Sequence, residues 1–158
     1  MTTLKSRLLG VAVVALCAQG ATAAESLVKP FDARYQVEWK GINVGTSDLV
    51  LARETEPDHY SYVSRSNARG IFRLAFSDEI TQRSVFTMDE KGIRPLNFVS
   101  DDGSSATDKD VKLDFDWNAA RAKGVSENKP VELALKPGVQ DVMSVQIAAI
   151  QDLLNDRL

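Results

Sequence analysis

Side chains change sides at every step from residue 31 to residue 40. Phe31, Ala33, Tyr35, Val37 and Trp39 fall on one face, and Asp32, Arg34, Gln36, Glu38 and Lys40 on the other. A period of two is the pattern of a β-strand with one buried face. Residues 110–118 repeat it, with Val111, Leu113, Phe115 and Trp117 alternating against Lys112, Asp114, Asp116 and Asn118. Weaker alternation predicts strands over 46–54, 59–66, 78–88, 96–100, 121–126 and 131–135, which brings the count to eight. Gly41, Gly70, Gly92 and Gly103 and prolines 57, 130 and 137 lie at strand ends or in the gaps, as turn residues should. Pro95 sits at a strand start, where a missing N–H is tolerated, and Gly124, inside a strand, is expected to mark a bulge. Such short gaps leave no room for a parallel crossover, so neighbouring strands are expected to pair antiparallel as a meander. Residues 71–76 are too few to assign.

From Asp141 the period lengthens to 3.6. Pro137-Gly138 ends the last strand, and the Asp141 carboxylate, with Ser144 one turn on, suits a helix cap. Val142, Met143, Val145, Ile147, Ala149, Ile150, Leu153 and Leu154 spread over an arc of about 200° on a helical wheel, too broad for a thin seam. Gln146 falls in the middle of that arc, where a buried amide must find partners. The expected fold class is therefore mainly β: a curved antiparallel meander of about eight strands, a half-barrel or β-roll, packed around a C-terminal helix.

The first 23 residues read differently. Lys5 and Arg7 precede an apolar run over 8–18, eleven residues against the ~20 that cross a bilayer, and Ala21-Thr22-Ala23 offers the small residues of a cleavage site. A cleavable export signal over 1–23 and a single β-rich domain over 24–158 are expected, with the protein in the periplasm and no transmembrane span after cleavage. Cys17, the single cysteine, follows Leu16, which is too large for a lipid-attachment site.

Composition then narrows the chemistry. Nineteen Lys+Arg against 22 Asp+Glu give −3, and without Lys5 and Arg7 the balance is 17 against 22, or −5. Nucleic-acid binders are normally basic, so no nucleic-acid partner is expected. One cysteine and one histidine, His59, leave Cys-type metal sites and histidine-based nucleophilic catalysis without parts. No cofactor or metal is expected.

Several side chains are candidates for a site. Asp114 and Asp116 share a strand face at a separation of ~7 Å, compatible with an acid–base pair, but on the polar side of an alternating strand solvated carboxylates are the stronger reading. Asp101, Asp102, Asp108 and Asp110 flank Gly103-Ser104-Ser105-Ala106-Thr107, yet their spacing departs from the calcium loop. Arg65, Arg69 and Arg73 recur every four residues among Ile71, Phe72, Leu74 and Phe76, a cationic and apolar rim suited to a phosphate-bearing head group or an acidic partner. Trp39 and Trp117 occupy matching inward positions among eleven aromatics, enough to line a cavity or fill a core. Trp39, Trp117, Arg65, Arg69, Arg73 and Gln146 are thus the expected ligand- or partner-binding residues, and Asp141 and Ser144 the structural cap.

Four segments resemble the bacterial envelope family known as DUF 3108: Tyr35-Gln36-Val37-Glu38-Trp39-Lys40-Gly41 with Gly45, Arg94-Pro95-Leu96, Leu113-Asp114-Phe115-Asp116-Trp117, and Pro137-Gly138-Val139-Gln140-Asp141 leading into Ser144. The resemblance implies an exported protein of Gram-negative bacteria, with a curved sheet similar to the lipoprotein-carrier (LolA/LolB-like) folds and no catalytic residues to carry over. Family members usually continue past the helix with more strands, so of two readings, a helix that simply closes the domain and a piece of a longer chain, the resemblance adds weight to the second. The expected function is non-catalytic: an apolar concavity offered to a lipid, a lipoprotein or an envelope protein. The alternatives are a solid-cored structural or assembly protein acting through surface contacts, and a carboxylate-dependent hydrolase.

Overall fold

A computed structural model describes residues 27–157 apart from 75, 90 and 91; the expected export signal and Cys17 lie outside the described residues. Eight strands run in chain order: β1 (Phe31–Trp39), β2 (Ile42–Arg53), β3 (His59–Ala68), β4 (Ile80–Asp89), β5 (Gly92–Asp101), β6 (Val111–Asp116), β7 (Arg121–Ser126) and β8 (Lys129–Ala134). They form one sheet in the order β1-β2-β3-β4-β5-β6-β7-β8, every neighbouring pair antiparallel. The predicted meander is the observed one, and it is open, with β1 and β8 as its two edges. A single helix, α1 (Ser144–Leu154), follows, and residues 70–74 between β3 and β4 make a 3₁₀ turn, Gly70–Leu74.

Turn chemistry explains the tight corners. Lys40 and Gly41 both take positive φ, +50° and +78°, which gives the two-residue hairpin of β1 and β2 the twist its strands need. Two register shifts, between Val37 and Glu38 and between Val85 and Phe86, bend the sheet. Gly124 is not at one of them, contrary to the sequence expectation. It lies in regular register opposite Leu113, where a Cβ would come within 1.8 Å of the Lys112 carbonyl oxygen, so the residue is glycine because the strands approach too closely for anything else.

Register aligns a row across the concave face in which Phe31, Leu51, Tyr62, Phe98 and Leu113 are large and Ser84, between Tyr62 and Phe98, is small. Val28, Tyr60, Phe86, Met88 and Ile93 continue the core toward the end where α1 sits, and Met143 and Ile147 of the helix segment complete it. α1 packs on β5 and β4. Burying these residues is the main drive for closure, each large apolar side chain contributing about 1.5–3 kcal/mol.

Candidate functional site

The helix is anchored by a buried polar cluster. Oδ1 of Asp141 accepts from the backbone N–H groups of Met143 (2.8 Å) and Ser144 (2.9 Å), and Oδ2 accepts from the Ser84 hydroxyl at 2.6 Å. The Ser144 hydroxyl accepts in return from the Asp141 N–H at 3.0 Å. Asp141 and Ser144 thus satisfy the free donors of the first turn reciprocally, and Ser84 ties that turn to the middle of the sheet.

So anchored, α1 covers only one end of the concave face. Moving away from it, the next row is Ala33, Leu49, Ser64, Gln82, Ser100 and Val111, and the row after that begins Tyr35, Ser47, Ser66 and Ile80. Side chains shrink from Leu, Tyr and Phe under the helix to Ser beyond it. The polar floor pairs with itself, Ser66 donating to Ser47 at 2.9 Å and Gln82 to Ser100 at 3.4 Å. Apolar walls flank this floor: Tyr35 and Val37 on β1, 54% and 42% exposed, and Val111 and Leu113 on β6, half-buried. The result is a trough with greasy sides and a hydroxyl-lined floor. Tyr62 stands at its inner end, its ring edge-on to Phe31 with centroids 5.9 Å apart and its hydroxyl donating to Gln146 Oε1 at 3.4 Å. Burial raises the Tyr62 pKa, with nearby Tyr35 adding to the effect.

Two expectations about the helix and the tryptophans need correction. Gln146 is exposed rather than sunk in the stripe, its amide donating to the Val142 carbonyl at 2.9 Å. The buried amide is Gln151, which donates to the Asp89 carbonyl at 3.2 Å while its Oε1 has no partner among the described residues. The arc of 200° overstated the contact: Met143, Ser144, Ile147 and Gln151 face the sheet, while Val145, Leu153 and Leu154 stay bare. Nor do the tryptophans match. Trp39, 56% exposed, ends β1 at the edge remote from α1, since the helix closes the other end. Trp117 is half-buried just past β6 beside α1, donating its indole N–H to the Pro95 carbonyl at 2.7 Å. There it lines a cleft of about 830 Å³ with Arg94, Val145, Ala149, Gln140 and Gln151.

The arginines divide in the same way. Arg65 faces the convex side and pairs with Glu79 at 3.8 Å, whereas Arg69 and Arg73 come together with Arg34 around a convex-side cleft of about 710 Å³. Arg34 is already bound to Asp48 through two hydrogen bonds of 2.5 and 3.0 Å, which hold the Asp48 carboxyl below its ordinary pKa.

The acidic candidates are engaged in local structure. Asp114 accepts from Asn97 at 2.7 Å, and Asp116 caps the following turn through the N–H groups of Asn118 (3.0 Å) and Ala119 (2.9 Å). Both are exposed, so neither stands in the water-excluded setting of an acid–base pair. Of the four loop carboxylates, Asp101, Asp102 and Asp110 place an oxygen each within 4.8 Å of the others, and Asp108 is outside the group. Asp102 is bound by the Ser104 hydroxyl (2.6 Å) and N–H (3.0 Å) with Lys109 beside it, and these contacts lower its pKa.

A protein-family model described as "Protein of unknown function (DUF3108)" matches residues 34–155, from early β1 to the end of α1. No curated protein and no solved structure matches the chain. Among the described residues no helix is long and apolar enough to cross a membrane.

Proposed function

This chain belongs to the DUF3108 family, and from that premise we propose that it is a non-catalytic binding protein of the bacterial cell envelope, exported to the periplasm, whose half-barrel holds the acyl portion of a lipid or lipoprotein. One observation carries the reading. Tyr35 and Val37 continue the core-facing side of β1 beyond Phe31 yet remain 54% and 42% exposed, because no element of the described chain covers that half of the trough. Bare aromatic and aliphatic walls over a floor of short side chains favour an elongated apolar guest, and the Ser47, Ser64, Ser66 and Ser100 hydroxyls accommodate a polar segment of it. The exposed, structurally engaged Asp114 and Asp116 lend no support to the hydrolase alternative.

The test is native mass spectrometry and organic extraction of the purified protein. Lipid-mass adducts that disappear in the Tyr35→Asp/Val37→Asp double variant are expected. A wild-type protein that is consistently empty after purification and after incubation with acyl lipids overturns the proposal.

A further inference from the structure

Residues three apart on a 3₁₀ turn lie one above the other. Gly70–Leu74 therefore sends Ile71 and Leu74 out on one face, where they are 76% and 89% exposed. Phe72 turns toward Trp39 instead, the rings edge-on with centroids 6.4 Å apart and both still exposed. The turn is held at both ends. The Arg69 N–H donates to the Val44 carbonyl at 2.8 Å and the Phe76 N–H to the Phe72 carbonyl at 3.0 Å. An ordered turn thus presents two aliphatic side chains to solvent. Basic groups lie on and beside the turn: Lys40, with Nζ 4.7 Å from the Trp39 ring centre, and Arg69 and Arg73, which line the convex-side cleft and are in no ion pair among the described residues. Of the acidic neighbours, Asp48 and Glu79 are bound by Arg34 and Arg65, and Asp78, which accepts from the Ser77 hydroxyl, lines the same cleft as Arg69 and Arg73.

The geometry points to a membrane-docking surface: Ile71 and Leu74 enter the acyl layer of an anionic bilayer while Lys40, Arg69 and Arg73 meet its phosphates. Charge complementarity favours this occupant, since Lys40, Arg69 and Arg73 give the turn a local basic character on a chain whose net charge is −3. Size agrees. Two side chains on a five-residue convex turn offer a folded partner far less than the ~800 Å² per side of a stable protein interface, whereas fluid acyl chains close around any protrusion. Trp39 beside Lys40 adds the aromatic-and-basic pairing typical of the bilayer interface. The turn follows the end of β3 remote from α1, so docking there brings the uncovered half of the trough to the bilayer. The inference does not depend on what the trough holds.

Sedimentation of the protein with vesicles of phosphatidylglycerol and phosphatidylcholine, against phosphatidylcholine alone, tests it. Binding to the anionic vesicles, weakening with salt, is expected. Ile71→Ser/Leu74→Ser should lower affinity more than about tenfold, and Arg69→Ala and Arg73→Ala about fivefold each, all with unchanged circular dichroism because these side chains are exposed. Absence of binding to anionic vesicles, or wild-type binding by the double serine variant, overturns the proposal. Binding that needs the arginines but not Ile71 and Leu74 also overturns it, in favour of an acidic peptide. Lipid extraction is read separately, so an empty trough in a vesicle-binding protein refutes only the acyl-carrier reading.

Discussion

The hydroxyl of Ser84, in the middle of β4, donates to the carboxylate of Asp141 at 2.6 Å, and both groups are buried. Fifty-seven residues of chain separate them, so this bond is one of those that set where the helix meets the sheet. The same carboxylate caps the first helical turn, and its loss leaves donors from two elements unmatched. Asp141→Ala is expected to destabilise the protein by about 2–4 kcal/mol, the sum of a lost cap and a buried unsatisfied hydroxyl. Urea denaturation measures it, and the Ser84→Ala/Asp141→Ala double variant should cost less than the two single changes added together.

Gly124 and Gly41 should respond differently to alanine. At Gly124 the new Cβ meets the Lys112 backbone at 1.8 Å and β6 must part from β7, with an expected cost of about 2–4 kcal/mol. At Gly41 nothing lies within 4 Å and only the φ of +78° resists, which costs about 1 kcal/mol. Thermal melts of the two variants side by side distinguish contact from backbone strain.

Glu54 carries a pH signature. The Ser61 hydroxyl, aided by Arg83 at 2.7 Å, holds its pKa below the ordinary 4.5. The unfolded chain therefore takes up the proton first as the solution is acidified. Stability from ionised Glu54 is fully present above pH 4.5 and is lost as pH falls through the lower folded value. Glu54→Gln should be less stable than wild type at pH 7 by up to about 1 kcal/mol, given the exposure of the pair, and the gap should close toward pH 3. Denaturation midpoints across that range check the sign.

Gln151 is a polar residue at an apolar address. Its amide makes one hydrogen bond, to the Asp89 carbonyl at 3.2 Å, while Oε1 goes unmatched. Gln151→Met conserves the shape and removes the buried acceptor together with that bond, so stability should change by less than about 1 kcal/mol. Gln151→Ala leaves a cavity and should cost about 2–4 kcal/mol. Equal losses in the two variants, measured by chemical denaturation, contradict this account.

Alternation in the primary structure was enough to place all eight strands, their antiparallel order and the helix after Asp141, because strand periodicity and turn chemistry act between residues close in the chain. The Trp39 and Gln146 expectations failed for a common reason. Period and wheel assign a side chain to a face; they do not say how far along that face the cover reaches. Eleven helical residues span about 16 Å, whereas a twelve-residue strand runs about 40 Å and eight strands spread over some 34 Å. One helix therefore cannot roof the whole sheet. Which end it closes depends on contacts between distant segments, Ser84 with Asp141 and Gln151 with the Asp89 carbonyl among them. That choice buries Gln151 instead of Gln146 and leaves Tyr35, Val37 and Trp39 bare. Local periodicity wrote the strands and the helix; long-range packing chose which of their apolar faces stayed open to a partner.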